Sequence, residues 1–160
     1  LGERKGPWVV VRTFSKAYGL SGVRLGYALL SDDRLATGFS KMRSGFNVNR
    51  IALAGACAAM QDQTYLDHVL EVISAERDRL TNRMTALGLS VFPSAANFVL
   101  ARLETPAQVL ARYLAQHNIM IQALSWPGDL GSVRVTVGIR EHNDAFLKVL
   151  ENYLSQPSIR

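Results

Sequence analysis

Cysteine, histidine and long apolar runs are scarce in this chain of 160 residues. Cys57 is its one cysteine, so no disulfide can form within the chain, which excludes a disulfide-stapled secreted scaffold. The three histidines, His68, His117 and His142, share no metal-ligand spacing with that cysteine, and no metal site is expected. The longest unbroken run of apolar residues and glycine, Ile51 to Met60, is ten residues long. A bilayer needs about 20, so no membrane partner is expected. No basic-then-apolar leader opens the chain, and a cytoplasmic location is expected. What is present is a globular composition, 48% hydrophobic and 19% charged, which argues against disorder.

The net charge is +5, and it is unevenly spread. Residues 1–50 hold nine Lys/Arg against three Asp/Glu, whereas residues 51–160 hold nine against ten. No helix carries a basic stripe and no aromatic RNA-binding motif occurs, so a polynucleotide partner is not expected. A small anionic ligand held in the first third fits this distribution better. The chain opens on Leu1 with a strand-like Trp8-Val9-Val10-Val11 close behind, and a fragment of a longer protein is expected.

Residues 8–14 are β-branched and aromatic and read as a buried strand. A Gly/Ser-rich stretch, Ser15 to Gly22, separates it from a second strand over Val23 to Leu30. Ser31 can cap a helix, with Asp32 and Asp33 in its first turn and Leu35, Phe39 and Met42 on one face. Asn47 or Asn49 can start the next helix, whose small residues place Cys57 in the core. Residues 64–87 keep a helical period through Leu66, Val69, Leu70, Ile73, Leu80, Met84 and Leu87, and Gly88 supplies the stop.

Residues 91–103 are strand-like and interrupted by Pro93. Thr105-Pro106-Ala107-Gln108 reads as a capping box with Pro at the first helical position. That helix is expected to bury Val109, Leu110, Tyr113 and Leu114 and to close at Asn118. Ile119 to Ile121 reads as a short strand, Trp126 to Asp129 as a turn and Val133 to Val137 as a strand. A terminal helix then buries Phe146, Leu147, Leu150, Tyr153 and Leu154. The order is α/β: residues 1–62 as the tail of one domain, 63–88 as a connecting helix, and 89–160 as a small βαββα domain.

Chemistry gathers in Thr13-Phe14-Ser15-Lys16-Ala17-Tyr18-Gly19-Leu20-Ser21-Gly22-Val23-Arg24. A Ser-Lys pair in a loop is by itself ordinary solvated surface. Here Lys16 follows a buried strand and small residues follow it. A partly desolvated lysine has a lowered pKa and becomes an amine nucleophile. The hydroxyls of Thr13 and Ser15 and the guanidinium of Arg24 can hold a phosphate by charge-assisted hydrogen bonds. Together these suit an aldehyde cofactor that carries a phosphate. Tyr18, Tyr27 and Trp126 read as packing residues.

This segment resembles the lysine segment of the fold-type I pyridoxal-phosphate-dependent aminotransferases, the histidinol-phosphate aminotransferase branch above all. Gly45-Phe46-Asn47-Val48-Asn49, Ala96-Asn97-Phe98-Val99-Leu100 and Val133-Arg134-Val135-Thr136-Val137-Gly138, leading into Arg140-Glu141-His142-Asn143-Asp144, agree in order and spacing. The resemblance implies the tail of a large cofactor-binding α/β domain followed by a small C-terminal domain, in a homodimer. It implies pyridoxal 5'-phosphate bound to Lys16 as a Schiff base, with Lys16 then acting as the base that moves the substrate Cα proton. Thr13, Ser15 and Arg24 would grip the phosphate. Arg134 would take the substrate carboxylate, with Asn97 either at the substrate or satisfying local backbone. The implied reaction is a ping-pong exchange of an amino group between an amino acid, or histidinol phosphate, and a 2-oxo acid. A lyase of the same fold, of the threonine-phosphate decarboxylase type, would use the same lysine.

Two departures bear on that reading. The family's chains are considerably longer, and their N-terminal half carries the phosphate-cupping loop, the ring stacked on the pyridine and the aspartate that pairs with the pyridine nitrogen. A tyrosine from the other subunit also lies there. None of these is in this chain, which is therefore expected to be inactive alone and only to fold or oligomerise. Gln122 also stands where the histidinol-phosphate branch usually has an arginine, and an amide is the weaker phosphate partner. That opens the substrate to aromatic or aliphatic amino acids.

Overall fold

A computed structural model of the chain describes residues 4–125 and 131–156. The expected turn over Trp126 to Asp129, and the packing of Trp126, lie outside the described residues. The chain divides into two compact units, Leu1–Val69 and Leu70–Arg160, with the division inside one long helix.

The first unit is built on an antiparallel pair, β1 (Val9–Thr13) and β2 (Gly26–Leu30), in register from Val9 opposite Leu30 to Thr13 opposite Gly26. A side chain at position 26 would stand 2.6 Å from the Arg12 carbonyl oxygen, so glycine is what lets the strands close there. β1 is not the buried strand its sequence suggests. Val9 and Val10 are half-buried, Val11 is 71% exposed, and among the described residues β2 is its one strand neighbour. β2 starts at Gly26, later than Val23, because Ser21–Val23 forms a turn of 3-10 helix and Arg24 closes it with φ at 55°.

Helix α1 (Asp33–Met42) is capped one residue later than expected. Asp32 accepts from the Leu35 amide, and Ser31 instead donates to Asp32 and accepts from the Trp8 amide. The Asp32 carboxyl is held below its ordinary range, chiefly by that backbone hydrogen bond. Phe39 and Met42 remain exposed. In α2 (Arg50–Gln61) Asn49 is the cap, accepting from Ala52 at 2.8 Å, and Ala52 and Ala56 are buried. Cys57, expected in the core, is exposed, one residue round the helix from the buried alanine stripe.

Helix α3 (Gln63–Ala86) runs through the unit division. Gly88 stops it at φ +89°, where the Leu89 amide reaches back to the Met84 carbonyl. The second unit continues with β3 (Ser90–Val91), β4 (Phe98–Arg102), α4 (Ala107–Gln116), β5 (Gln122–Leu124), β6 (Ser132–Thr136) and α5 (Arg140–Leu154). The four strands are antiparallel in the order β3-β4-β6-β5. Strand alternation sends Val99, Ala101, Val133 and Val135 to the core, where they meet Leu80 and Met84 of α3, Leu110 and Leu114 of α4, and Phe146, Leu147 and Leu150 of α5. Each large aliphatic fully buried there contributes about 1.5–3 kcal/mol.

Three local expectations shift in this unit. Pro106 sits at the cap of α4 rather than its first turn, and no side chain caps the helix. Val109 is exposed. The short strand is Gln122–Leu124, while Ile119 and Ile121 pack against the core from the loop before it. Asn118 does end α4, in the left-handed region at φ 60°.

Polar contacts tie α3 to α5. Glu76, 8% exposed, accepts from Arg79 Nε and Nη2 and from Asn143 Nδ2, and Arg140 Nε stands 3.4 Å away. Arg79 also bonds Asp144 at 2.6 Å, and Arg83 pairs with Glu151. Asn143 in turn joins the Gly138 amide and carbonyl.

Candidate active site

The first unit places Thr13 at the end of β1 and Ser15, Lys16 and Arg24 on the loop that follows it, 14–25, before β2. Phe14 anchors the loop. It is 3% exposed, with the rings of Tyr18 and Tyr27 at 4.9 and 5.5 Å, which is the packing role read for both tyrosines. Its amide bonds the Leu25 carbonyl and its carbonyl takes the Leu20 amide. Within that closure the Gly19 amide bonds the Lys16 carbonyl at 2.8 Å, so Lys16 opens a tight turn whose fourth residue is Gly19 at φ +69°.

The polar groups form a string. The Ser15 amide donates to Thr13 Oγ1 at 3.1 Å, and Arg24 Nη1 donates to Ser15 Oγ at 3.3 Å and to the Ser21 carbonyl at 2.7 Å. The left-handed backbone at Arg24 folds its side chain back towards Ser15, a detail the strand assignment concealed. Both hydroxyls act as acceptors in these bonds, which leaves both O–H donors for an incoming anion. Two hydroxyl donors and a guanidinium match the oxygen-rich, charged end of a phosphate ester. The residues present therefore fit a phosphorylated cofactor. Lys16 itself is exposed, not desolvated as the sequence suggested.

The second unit carries Arg134 and Asn97. Arg134 lies on β6, on the sheet face opposite the core, with Leu100 its partner across β4. Its guanidinium carbon is 4.1 Å over the Phe98 ring, and Nη1 donates to Gln122 Oε1 at 3.1 Å. Arg134 Nε is buried and lacks a hydrogen-bond partner among the described residues. Asn97 precedes β4 half-buried, and its main-chain carbonyl takes the Val137 amide at 2.9 Å. Gln122 and Phe98 beside Arg134 are the contacts the motif did not announce. The register Gln122 opposite Arg134 could have been read only with β5 correctly placed. Among the described residues no group of three or more His, Cys, Asp and Glu could hold a metal ion, and no helix is long and apolar enough to cross a membrane.

Residues 1–150 match the family model of the class I and II aminotransferases, and the chain belongs to that family. Within it, the chain is similar to the histidinol-phosphate aminotransferases. It is 40% identical over 148 residues to histidinol-phosphate aminotransferase 1 of Nitrosococcus oceani, covering 92% of this chain and 40% of that protein. The crystal structure of the Sinorhizobium meliloti histidinol-phosphate aminotransferase in complex with pyridoxal-5'-phosphate matches with a TM-score of 0.80 at 34% identity, over 91% of this chain and 41% of that one. L-threonine-O-3-phosphate decarboxylase of Porphyromonas gingivalis matches with a TM-score of 0.73 at 28% identity, over 92% and 47%. The chain thus spans about two-fifths of the length of the curated relatives it matches. Its α/β fold is part of the fold-type I aminotransferase fold, as the sequence implied.

Proposed function

We propose that this chain is the C-terminal part of a pyridoxal-phosphate-dependent aminotransferase that moves an amino group between an amino acid and a 2-oxo acid. The observation that carries the reading is the bonded string Thr13–Ser15–Arg24 around the turn at Lys16, in a chain of the aminotransferase family. Pyridoxal phosphate, when bound, supplies the electron sink that makes the substrate Cα proton removable. Thr13 and Ser15 donate hydroxyl protons to its phosphate, and Arg24 adds a charged donor. The Lys16 amine holds the cofactor and then carries the proton to and from Cα. Arg134 takes the substrate carboxylate, a task suited to its planar fork, and Asn97 contributes to substrate binding. Residues 1–62 belong to the cofactor domain, 63–88 connect, and 89–160 form the small C-terminal domain of a cytoplasmic homodimer with no polynucleotide or membrane partner.

Histidinol phosphate is the substrate its relatives' names favour, whereas the neutral Gln122 beside Arg134 favours an amino acid without a distal phosphate. The decarboxylase match supports a second reading, in which the same lysine serves loss of the carboxylate. Product analysis separates the two: a 2-oxo acid for transfer, carbon dioxide for lysis. In the full-length protein, Lys16→Ala is expected to abolish transamination together with the visible absorbance of lysine-bound cofactor. Retention of both would contradict the proposal.

A further inference from the structure

We infer that Gln122 is a positioning residue that holds Arg134 ready for a substrate carboxylate without neutralising it; this rests on the carboxylate role proposed for Arg134. Three contacts define the geometry. Phe98 lies 4.1 Å beneath the guanidinium carbon, a cation–π arrangement that fixes the plane. Gln122 Oε1 takes Nη1 at 3.1 Å, which fixes rotation within that plane. Nε is buried and cannot meet an incoming group. The guanidinium is thus presented by its Nη end, at a pocket of about 320 Å³ that Met120, Ile121 and Thr136 line with Gln122 and Arg134.

The choice of partner matters. An aspartate or glutamate opposite Arg134 would orient it equally well but would cancel its charge and compete with the ligand. An amide accepts the hydrogen bond and leaves the full positive charge for the substrate. With one cation in this pocket lining and a neutral tether, the site matches a monoanionic carboxylate.

The test uses the full-length protein and butyrate as probe, with binding followed by calorimetry at pH 7. Gln122→Met removes the acceptor at similar volume and is expected to weaken butyrate about three- to tenfold, the effect of one lost hydrogen bond. Gln122→Glu restores the acceptor but adds a charge, and is expected to weaken butyrate further than Gln122→Met does. In turnover, both changes raise the KM of the amino donor and leave kcat within about twofold, as loss of uniform binding requires. The inference is overturned if Gln122→Glu binds butyrate as tightly as Gln122→Met or tighter, or if kcat falls in step with the rise in KM. Arg134→Ala is the control for the underlying reading. If it leaves butyrate binding unchanged, the carboxylate role of Arg134 itself is wrong, whereas weakening by Arg134→Ala alone leaves that role standing and removes only the one given to Gln122.

Discussion

Arg24 concentrates much of the local chemistry in one backbone angle. With φ at 55° it bends its guanidinium back to Ser15 Oγ and the Ser21 carbonyl. An arginine continuing a strand from Val23 would carry its side chain away along the sheet. Arg24→Ala in the full-length protein should therefore weaken pyridoxal phosphate retention about tenfold or more, the effect of a lost charge-assisted bond, as equilibrium dialysis would measure. A cofactor affinity unchanged in the variant would remove Arg24 from the phosphate site. Gly26 is the second residue on which the loop depends. Gly26→Ala puts a methyl group 2.6 Å from the Arg12 carbonyl oxygen, and roughly 1–3 kcal/mol of destabilisation is expected from the forced backbone shift. Thermal unfolding would report it, with faster amide exchange in β1 and β2 as the local signature.

At the scale of elements, α3 and α5 are joined through Glu76. Hydrogen bonds from Arg79 hold the Glu76 carboxyl below its ordinary value of 4.5, with Asn143, and the charge of Arg140, acting in the same direction and burial opposing them. A carboxylate lowered in the folded state stabilises fully above its unfolded value, and that contribution fades as pH falls through the folded one. The second unit should therefore lose stability on acidification below about pH 4.5. Glu76→Gln should flatten that part of the profile and cost roughly 1–3 kcal/mol at neutral pH, because Arg79 then keeps Asp144 as its charged partner and bonds a neutral amide where the carboxylate stood. Unfolding temperature against pH for both proteins checks the prediction, and parallel acid limbs would contradict it.

The same elements mark what could be read from sequence. Helix α3 and its glycine stop were legible because burial of Leu80 and Met84 and helical geometry act together there, whereas Leu70, read on the same face, is exposed. β5 was misplaced because Ile119 to Ile121 are more apolar than the strand that follows. As an edge strand, β5 is fixed by pairing with β6 rather than by hydropathy. The candidate site residues stand out in the sequence as a motif, since hydroxyl, amine and guanidinium lie close together there. Their arrangement does not, since it turns on a left-handed backbone at Arg24 and on a cross-strand neighbour, Gln122, twelve residues from Arg134.

Across the whole molecule, the two units differ in how completely their apolar surface is covered. The second has a core of fully buried aliphatics. The first leaves Val11, Met42, Phe46, Ile51 and Leu53 more than half exposed, more apolar surface than a self-contained unit normally shows water. The relatives it matches are some two and a half times as long, by the two-fifths share this chain covers. On the proposed reading, adding the remaining part of the full-length protein as a separate polypeptide is expected to lower dye binding to exposed apolar surface and to give transamination that the 160-residue chain is expected to lack alone. Turnover by this chain without that addition would refute the need for it.

The central claim is that the Lys16 amine carries pyridoxal phosphate, and borohydride reduction of the full-length protein followed by peptide mapping tests it most directly. The account predicts a pyridoxyl group on Lys16, in the peptide that includes Ala17 to Arg24. A label on another lysine, or an unlabelled protein after reduction with excess cofactor, would contradict it.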